Sequence, residues 1–313
     1  MIRALFSIGT NSTRLLVLDA DGARLAAESR GTRIGAGIGA TGTIDAVARE
    51  RTLGALDDYV AIARAHGVTA ADAIATSALR RASDGDAFAA GVAARAGVAP
   101  RVLSGDEEAT YSFLGATARV TSDAEVAVLD VGGGSTELAV DVSARARAAG
   151  TVRRTFSREV GAVRLSERHP ALLGERALHG RERDDVERAA RADAAAVLGP
   201  FGAVRGFASL IAVGGTVFTA AAMLAGGAAD GVSMTHADRA EMIVALLGRD
   251  LDARKTIPFI RPQRADILPA GLIVVDEACV ALGVDGFTVS EADLLLGYLT
   301  SPAFRAVPLP DSA

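Results

Sequence analysis

The sequence has very little cysteine and lysine, and each scarcity excludes a class of chemistry. Cys279 is the only cysteine among 313 residues, which allows neither a disulfide framework nor a cysteine-rich metal site. Lys255 is the only lysine, and no G-x-x-x-x-G-K-[ST] segment occurs, which excludes a P-loop nucleotide hydrolase and disfavours Schiff-base chemistry. The four histidines are scattered without the spacing of metal ligands.

The chain also lacks the signals of export, of membrane insertion and of nucleic-acid binding. Its start, MIRALFSIGT, has no apolar core followed by a small-residue cleavage site, so we expect a cytoplasmic location. The net charge of −5 offers no general basic surface for nucleic acid. Residues 206–229 carry no charge and are long enough to cross a bilayer, but Gly214-Gly215-Thr216 should divide them into a strand over 210–213 and a helix over 217–224. No membrane partner is therefore expected.

Strand and helix patterns alternate along the whole chain, which predicts an α/β protein. The length suffices for two domains. We place the first over 1–120 and the second over 121–300, followed by a loosely held tail over 301–313. Whether a C-terminal helix near 292–300 completes the first domain is left open. In the second half, helices are predicted over 181–198, 236–248 and 268–283.

One segment of the sequence occurs twice. FSIGTNSTRLLVL at 6–18 aligns with LDVGGGSTELAVD at 129–141, and each reads as a strand, a Gly/Ser/Thr/Asn turn and a second strand. Such turns offer backbone N–H groups and hydroxyls to phosphate. The match breaks where Asp130 aligns with Ser7 and Glu137 with Arg14. Two such hairpins predict a duplicated fold that closes around one polyanion.

Two acidic groups and two glycine turns are the candidates for chemistry. Three consecutive glycines, Gly132–Gly134, let the backbone approach an anion closely, and Asp130 at the end of the preceding strand is suited to hold Mg²⁺ through water. Glu137 follows the turn and is a second candidate for the same ion. Gly214-Gly215-Thr216 is a further helix start able to bind an anion.

The segment Ser104-Gly105-Asp106-Glu107-Glu108 opens a helix with three acids. Glu107 reads by default as a partner of the helix dipole, whereas Glu108 is a candidate general base for water. The residues alone leave open whether Glu108 is a general base or a second partner of the helix dipole. Arg80 follows a predicted strand and is a candidate phosphate clamp, with Arg81 of equal standing.

These segments together resemble the exopolyphosphatase/guanosine pentaphosphate phosphohydrolase (Ppx/GppA) family. The resemblance runs from about residue 4 to 300 and rests on IGTNSTRLLV, ATSALR, LSGDEEA, VLDVGGGSTEL, GAVRLSE and VGGT, in this order. It implies two ribonuclease-H-like domains, similar to those of the actin/sugar-kinase/Hsp70 group, with the site in the crevice between them. It also implies the short, two-domain form of the family.

The resemblance further implies roles for individual residues. Glu108 would be the base that activates water, and Asp130 and Glu137 would hold Mg²⁺. Phosphate would be held by Thr10, Asn11, Ser12, Arg80, Gly132, Gly133, Gly134, Ser135, Gly214, Gly215 and Thr216. The expected partner is inorganic polyphosphate or a guanosine penta- or tetraphosphate, and a homodimer is left open.

The sequence departs from the family pattern in two places. Serine at position 7 stands where the family usually has aspartate, which predicts weak metal binding because a hydroxyl brings no charge. The usual G-L-R-E-G is replaced by Ala292-Asp293-Leu294-Leu295-Leu296-Gly297, without the arginine and the glutamate.

The function that follows is a Mg²⁺-dependent phosphohydrolase. It would release terminal orthophosphate from polyphosphate, the 5′ γ-phosphate of guanosine pentaphosphate, or both. A non-catalytic sensor of polyphosphate or alarmone is the alternative from another class. A sugar or acid kinase of the same fold group would need a base pocket that the sequence does not reveal.

Overall fold

The computed structural model describes residues 1–121, 123–142 and 152–309, which form two mixed β-sheets with helices packed on them. The strands are β1 Arg3–Ile8, β2 Thr13–Leu18, β3 Arg24–Arg30, β4 Ala70–Ala75, β5 Arg101–Val102, β6 Glu125–Val131, β7 Thr136–Val142, β8 Arg154–Arg158, β9 Ser209–Val213, β10 Ser233–Met234 and β11 Phe287–Val289.

The helices among these residues include the three that were predicted in the second half, each within about two residues of its expected limits. They are α1 Ile38–Thr41, α2 Ala46–Ala65, α3 Ser77–Arg81, α4 Gly85–Ala96, α5 Gly105–Ala116, α6 Ala162–Arg168, α7 Gly180–Leu198, α8 Gly215–Ala225, α9 His236–Leu247, α10 Leu251–Lys255, α11 Leu268–Leu282 and α12 Leu294–Leu299. Short 3₁₀ turns cover Pro170–Leu173, Gly199–Ala203 and Pro262–Arg264.

Both sheets are built on the same strand order. The first is β3-β2-β1-β4-β5, in which β1, β2 and β3 are antiparallel neighbours while β4 and β5 run parallel to β1. The second is β8-β7-β6-β9-β11 with the same relative directions, and β10 is added antiparallel to β11. This is the ribonuclease-H-like arrangement, so the predicted α/β class and the duplicated unit are confirmed.

The repeated segments of the sequence are the equivalent hairpins of the two sheets. The amide of Gly9 donates to the carbonyl of Ser12 at 2.9 Å, and the amide of Gly132 donates to that of Ser135 at 3.0 Å. The cross-strand neighbours also correspond, because Ser7 faces Arg14 on β2 and Asp130 faces Glu137 on β7. The two hairpins therefore differ in chemistry at positions that are structurally the same.

Helix α12 packs on the first sheet, although it follows the last strand of the second. Its apolar side chains share one buried cluster with β1, β2 and β4, formed by Leu5, Leu16, Leu18, Ile74, Leu294, Leu295, Tyr298 and Leu299, among others. It crosses α5 at Gly115 and Gly297, where a Cβ on either glycine would collide with the backbone of the other segment. The chain thus returns to the first sheet after building the second, while the domain limits expected from the sequence stay a prediction.

The tail expected to be loosely held is anchored as far as Val307, so that expectation was wrong for this part. Arg305 donates its Nε and its backbone amide, both at 2.9 Å, to the fully buried Asp72. Val307 and Ala71 exchange two backbone hydrogen bonds at 2.7 and 3.0 Å. Proline-rich composition suggested mobility, but a buried carboxylate on β4 needs a cationic partner, and the tail supplies it. Residues 310–313 lie outside the described residues.

The uncharged segment 206–229 is divided as predicted, into β9 and α8 on either side of Gly214. Among the described residues, no helix combines the length and the hydropathy that crossing a membrane requires.

Candidate active site

The two glycine turns face each other across the crevice between the sheets. A Cβ on Gly133 would lie 3.2 Å from the Cβ atoms of both Thr10 and Asn11, and one on Gly134 would lie 2.7 Å from Thr10 Oγ1 and 2.8 Å from Ser77 Oγ. Any larger residue in this loop would push the two turns apart. The structure therefore brings together the two turns that were predicted to cradle phosphate.

Three carboxyl groups lie close enough to act on one another's charge; Glu108 and Glu137 are buried and Asp130 is partly buried. Glu108 comes from the first turn of α5 with 6 % exposure, Asp130 from the end of β6, and Glu137 from β7 with 2 % exposure. Ser112 Oγ donates to Asp130 Oδ2 at 2.5 Å, and Ser157 Oγ donates to Glu137 Oε1 at 2.8 Å. Helix α5 thus supplies both an acid and the hydroxyl that orients a second acid.

Burial raises the pKa of each of these carboxyl groups. The pKa of Glu108 rises to about 7, since burial and the charges of Asp130 and Glu159 outweigh the opposing Arg80. The pKa of Asp130 rises to about 6 through burial, against the hydrogen bond from Ser112. Burial, then the charges of Glu108 and Asp130, raise the pKa of Glu137 well above its ordinary value. Three acids that disfavour one another's ionisation form an environment suited to a cation and to proton transfer.

The structure separates the two glutamates that the sequence left unresolved. Glu107 closes a capping box with Ser104 and pairs with Arg101, so it serves the helix, as the default interpretation held. Glu108 instead contacts Arg80 Nη1. Glu108 is therefore the glutamate of this helix turn that faces the crevice.

The two arginines after β4 separate in the same way. Arg80 Nη1 also donates to the carbonyl of Leu103 at 2.7 Å, while its Nη2 has no hydrogen-bond partner among the described residues. It lines an open cavity of about 390 Å³ together with Ser157, Arg158 and Glu159. Arg81 is exposed and lines a different, smaller cavity together with Thr10 and Gly134, so the two arginines do not share one cavity and Arg80 remains the candidate phosphate clamp.

The third glycine turn joins this crevice through its backbone. Gly214 has a φ of +103°, and a Cβ there would lie 3.0 Å from Asp130 Oδ1, so glycine is required both for conformation and for space. The amides that begin α8 therefore lie beside Asp130. The side chain of Thr216 lies against Gly271 of α11, which leaves its backbone amide, not its hydroxyl, for an anion.

Arg264 is a candidate that the sequence reasoning missed. Its guanidinium occupies the space over Gly215 that a Cβ would need, and its Nη2 donates weakly to Ser12 Oγ at 3.4 Å. Burial, together with the charges of Arg14 and Arg261, lowers the pKa of Arg264 to about 10. Among the described residues no carboxylate forms an ion pair with Arg264. Asp266, a carboxylate close enough to act on its pKa, is instead paired with Arg33 at 2.6 Å. No motif surrounds Arg264, so only the fold shows that it reaches this crevice.

The remaining predicted residues of the first hairpin are also in place. Thr10 and Asn11 are buried, and Asn11 Oδ1 has no hydrogen-bond partner among the described residues. Ser7 is 4 % exposed and carries no charge into the crevice, as the sequence indicated. The oxygen of Asn11 and Arg80 Nη2, both buried and without a hydrogen-bond partner among the described residues, are consistent with a site built for a charged ligand.

Replacement of Glu137 by glutamine is expected to stabilise the protein. A carboxyl group whose pKa is raised by folding holds a proton that the unfolded chain releases, so stability falls as the pH rises above the unfolded pKa toward the folded one. Glutamine removes this cost and can still accept from Ser157. Calorimetry should show a melting temperature higher by roughly 2–8 °C, with the larger gain at pH 8 and the smaller at pH 5. Glu241→Gln, at an exposed position of α9, is the control and should change little; an equal gain there would contradict the explanation.

Known proteins resemble this chain in sequence and in fold. A model described as the Ppx/GppA phosphatase family matches residues 18–302. The protein named exopolyphosphatase 2 of Mycobacterium tuberculosis is 34 % identical, over 96 % of this chain and 98 % of that protein. An exopolyphosphatase-like protein of known crystal structure is 27 % identical with a TM-score of 0.85, over 97 % of this chain and 99 % of that one. An exopolyphosphatase from Cytophaga hutchinsonii shares the fold at 23 % identity and a TM-score of 0.82, over 96 % of each chain.

Proposed function

Because the chain belongs to the Ppx/GppA phosphatase family, we propose that it hydrolyses inorganic polyphosphate and releases the terminal orthophosphate. The observation that carries the proposal is Glu108, a buried carboxyl group whose pKa is raised to about 7 and which pairs with Arg80. A general base works best when its pKa lies near the operating pH. The relatives that are named exopolyphosphatases agree with this choice of substrate.

In the proposed reaction a water oxygen attacks the terminal phosphorus, and its proton passes to the Glu108 carboxylate. The bridging P–O bond breaks, and its electron pair leaves with the shortened chain. Arg80 and Arg264 neutralise phosphate oxygens, and the amides of Gly133–Ser135 and Gly214–Thr216 donate to them, while the amide of Gly132 closes the turn on Ser135. Thr10, Asn11 and Ser12 hold the same group from the first hairpin.

The acidic residues of the crevice fit Mg²⁺. No group of three or more His, Cys, Asp or Glu side chains within the described ranges is arranged as a complete metal site. Mg²⁺ commonly retains several waters and takes only one or two carboxylates plus substrate phosphates, which is the donor set that Asp130 and Glu137 provide. Because burial raises the pKa of both carboxyl groups, a nearby cation would stabilise their ionised forms. Bound there, Mg²⁺ would neutralise charge on the phosphate oxygens.

The proposal is tested by incubating the protein with long-chain polyphosphate, guanosine pentaphosphate and ATP, each with and without Mg²⁺, and measuring orthophosphate. Release from polyphosphate that depends on Mg²⁺ is expected. Binding of polyphosphate without release would favour the non-catalytic sensor, and transfer from ATP to a sugar or acid would favour a kinase. Release from guanosine pentaphosphate would add the second substrate that the family name includes.

Replacing Asp130 should change the Mg²⁺ requirement, whereas replacing Arg80 should change the KM for polyphosphate. Asp130→Asn removes a metal carboxylate, so the Mg²⁺ concentration for half-maximal rate should rise by roughly tenfold. Arg80→Ala removes a phosphate clamp, so KM for polyphosphate should rise by roughly tenfold or more. Arg81→Ala is the matched control and should change neither value. Identical profiles for Asp130→Asn and Arg80→Ala would contradict this division of roles.

A further inference from the structure

The guanidinium of Arg14 is held by a carboxylate that comes from a distant part of the chain. Arg14 Nη1 lies 2.6 Å from Asp293 Oδ2. The other oxygen, Oδ1, accepts from the amide of Leu295 at 3.0 Å, so Asp293 also caps the N-terminus of α12. The side chain of Asp293 is 11 % exposed, whereas that of Arg14 is 36 % exposed. The pair thus lies at an edge that an ion can reach.

This pair borders the crevice at Asp130. The carbonyl of Asp293 packs against Gly115, which is one turn beyond Ser112 on α5, and Ser112 holds Asp130. Arg14 is also close enough to Arg264 to lower the pKa of that group. Arg14 is therefore close enough to act electrostatically on both Asp130 and Arg264.

The duplicated hairpins show what is unusual here. Arg14 occupies the position that Glu137 occupies in the second hairpin, opposite Ser7 in place of Asp130. Without Asp293, the first hairpin would therefore turn an uncompensated positive charge toward the crevice. Such a guanidinium would bind phosphate oxygens well and would repel a cation at Asp130.

We propose that Asp293 is an internal counter-ion that withholds Arg14 from anionic ligands and preserves cation binding at Asp130. The inference rests on the proposed function, and it adds a residue, Asp293, that offsets the positive charge of Arg14 in the same crevice. Anion binding then falls to Arg80, Arg264 and the backbone amides. Asp293 is a positioning residue in this scheme, because it acts through Arg14 and not on the reacting atoms.

The test is Asp293→Asn, which removes the charge but keeps an oxygen able to cap α12. Mn²⁺ binding is measured by electron paramagnetic resonance without substrate, and tripolyphosphate binding by calorimetry without metal, both at low ionic strength. The Kd for Mn²⁺ should rise by roughly tenfold, and the Kd for tripolyphosphate should fall by roughly tenfold. The opposite signs are the signature, since loss of folding would weaken both.

Three further variants make the result specific. Arg14→Gln/Asp293→Asn restores the charge of the pair, so both Kd values should return to within about threefold of the parent. Glu291 lies two residues before Asp293 and forms an exposed ion pair with Arg24. Glu291→Gln removes that pair and should leave both Kd values unchanged. Arg14→Gln alone leaves Asp293 unopposed and should tighten Mn²⁺, which provides a second measurement if Asp293→Asn does not fold.

The inference is overturned if Asp293→Asn shifts neither Kd, if both ligands weaken together in a folded variant, or if Glu291→Gln shifts them equally. It is also overturned if the double variant behaves like Asp293→Asn. These results are distinct from failure of the proposed function. If the Kd values for Mn²⁺ and tripolyphosphate shift as expected but the parent chain releases no phosphate, only the proposed hydrolysis is contradicted. If the parent hydrolyses polyphosphate but the variants leave both Kd values unchanged, only the role of Asp293 is contradicted.

Discussion

Replacement of Glu108 by glutamine should reduce the rate of phosphate release by about 10²–10⁴-fold, because the amide cannot take a proton from the attacking water. The KM for polyphosphate should change by less than about threefold, since glutamine keeps the size of the side chain and the phosphate contacts belong to other groups. Steady-state kinetics with a phosphate assay measures both values. The experiment isolates the step that we propose for Glu108, a buried carboxyl group beside Arg80.

The matched control for this variant is Glu107→Gln, one residue earlier on α5. Glu107 caps the helix and pairs with Arg101, so its replacement should cost some stability and little rate. The pH profile is a second control. With a pKa of about 7, Glu108 loses its proton as the pH rises, so kcat should increase through roughly neutral pH in the parent. Near-normal turnover in Glu108→Gln would transfer the role of base to another carboxylate.

Alanine at Gly115 should have the second large effect, on stability and on activity together. Its Cβ would overlap the backbone carbonyl of Asp293, and backbone cannot move aside as a side chain can. Overpacking of this kind costs about 1–3 kcal/mol and sometimes more. We expect a fall in melting temperature of several degrees and a loss of activity of roughly tenfold or more, because α5 carries both Glu108 and the Ser112 that orients Asp130.

The control for Gly115→Ala is Gly54→Ala in α2. Both glycines lie inside helices, but a Cβ at Gly54 would meet no atom within 4 Å. Alanine has the higher helix propensity, so Gly54→Ala should be neutral or should stabilise by up to about 1 kcal/mol. Calorimetry of the two variants separates packing from propensity. A Gly115→Ala protein as stable as Gly54→Ala would mean that α5 and α12 can separate at low cost.

Much of the fold could be predicted because it depends on local patterns. The alternation of strand and helix, the limits of α7, α9 and α11, and the division of 206–229 follow from periodicity and glycine positions. The similarity between the two hairpins predicted the duplicated sheets. The tail was misjudged because the carboxylate that anchors it, Asp72, belongs to another part of the sequence.

The candidate site was predictable in part. Its glycine turns and its three acids are recognisable as short segments, and the structure places them around one crevice, while their roles in catalysis stay predictions. The sequence could not decide whether Glu108 is a general base, nor which of Arg80 and Arg81 binds phosphate. Neighbours in the chain differ only in the direction of their side chains, and that direction depends on how α5 and α3 pack.

The sequence by itself determined the chemistry that is available: acids, arginines and glycine turns, with almost no cysteine or lysine. Only the tertiary structure decided which of these groups meet. Arg264 and Asp293 show this most clearly, since the sequence assigned neither a role, and each contacts a partner in the first hairpin more than 250 residues earlier in the chain. Contacts of that kind depend on the crossing of α12 over α5 and on the closure of two sheets, and no local pattern encodes them. Burial then fixes the charges, because a pKa depends on the surroundings that the whole fold creates.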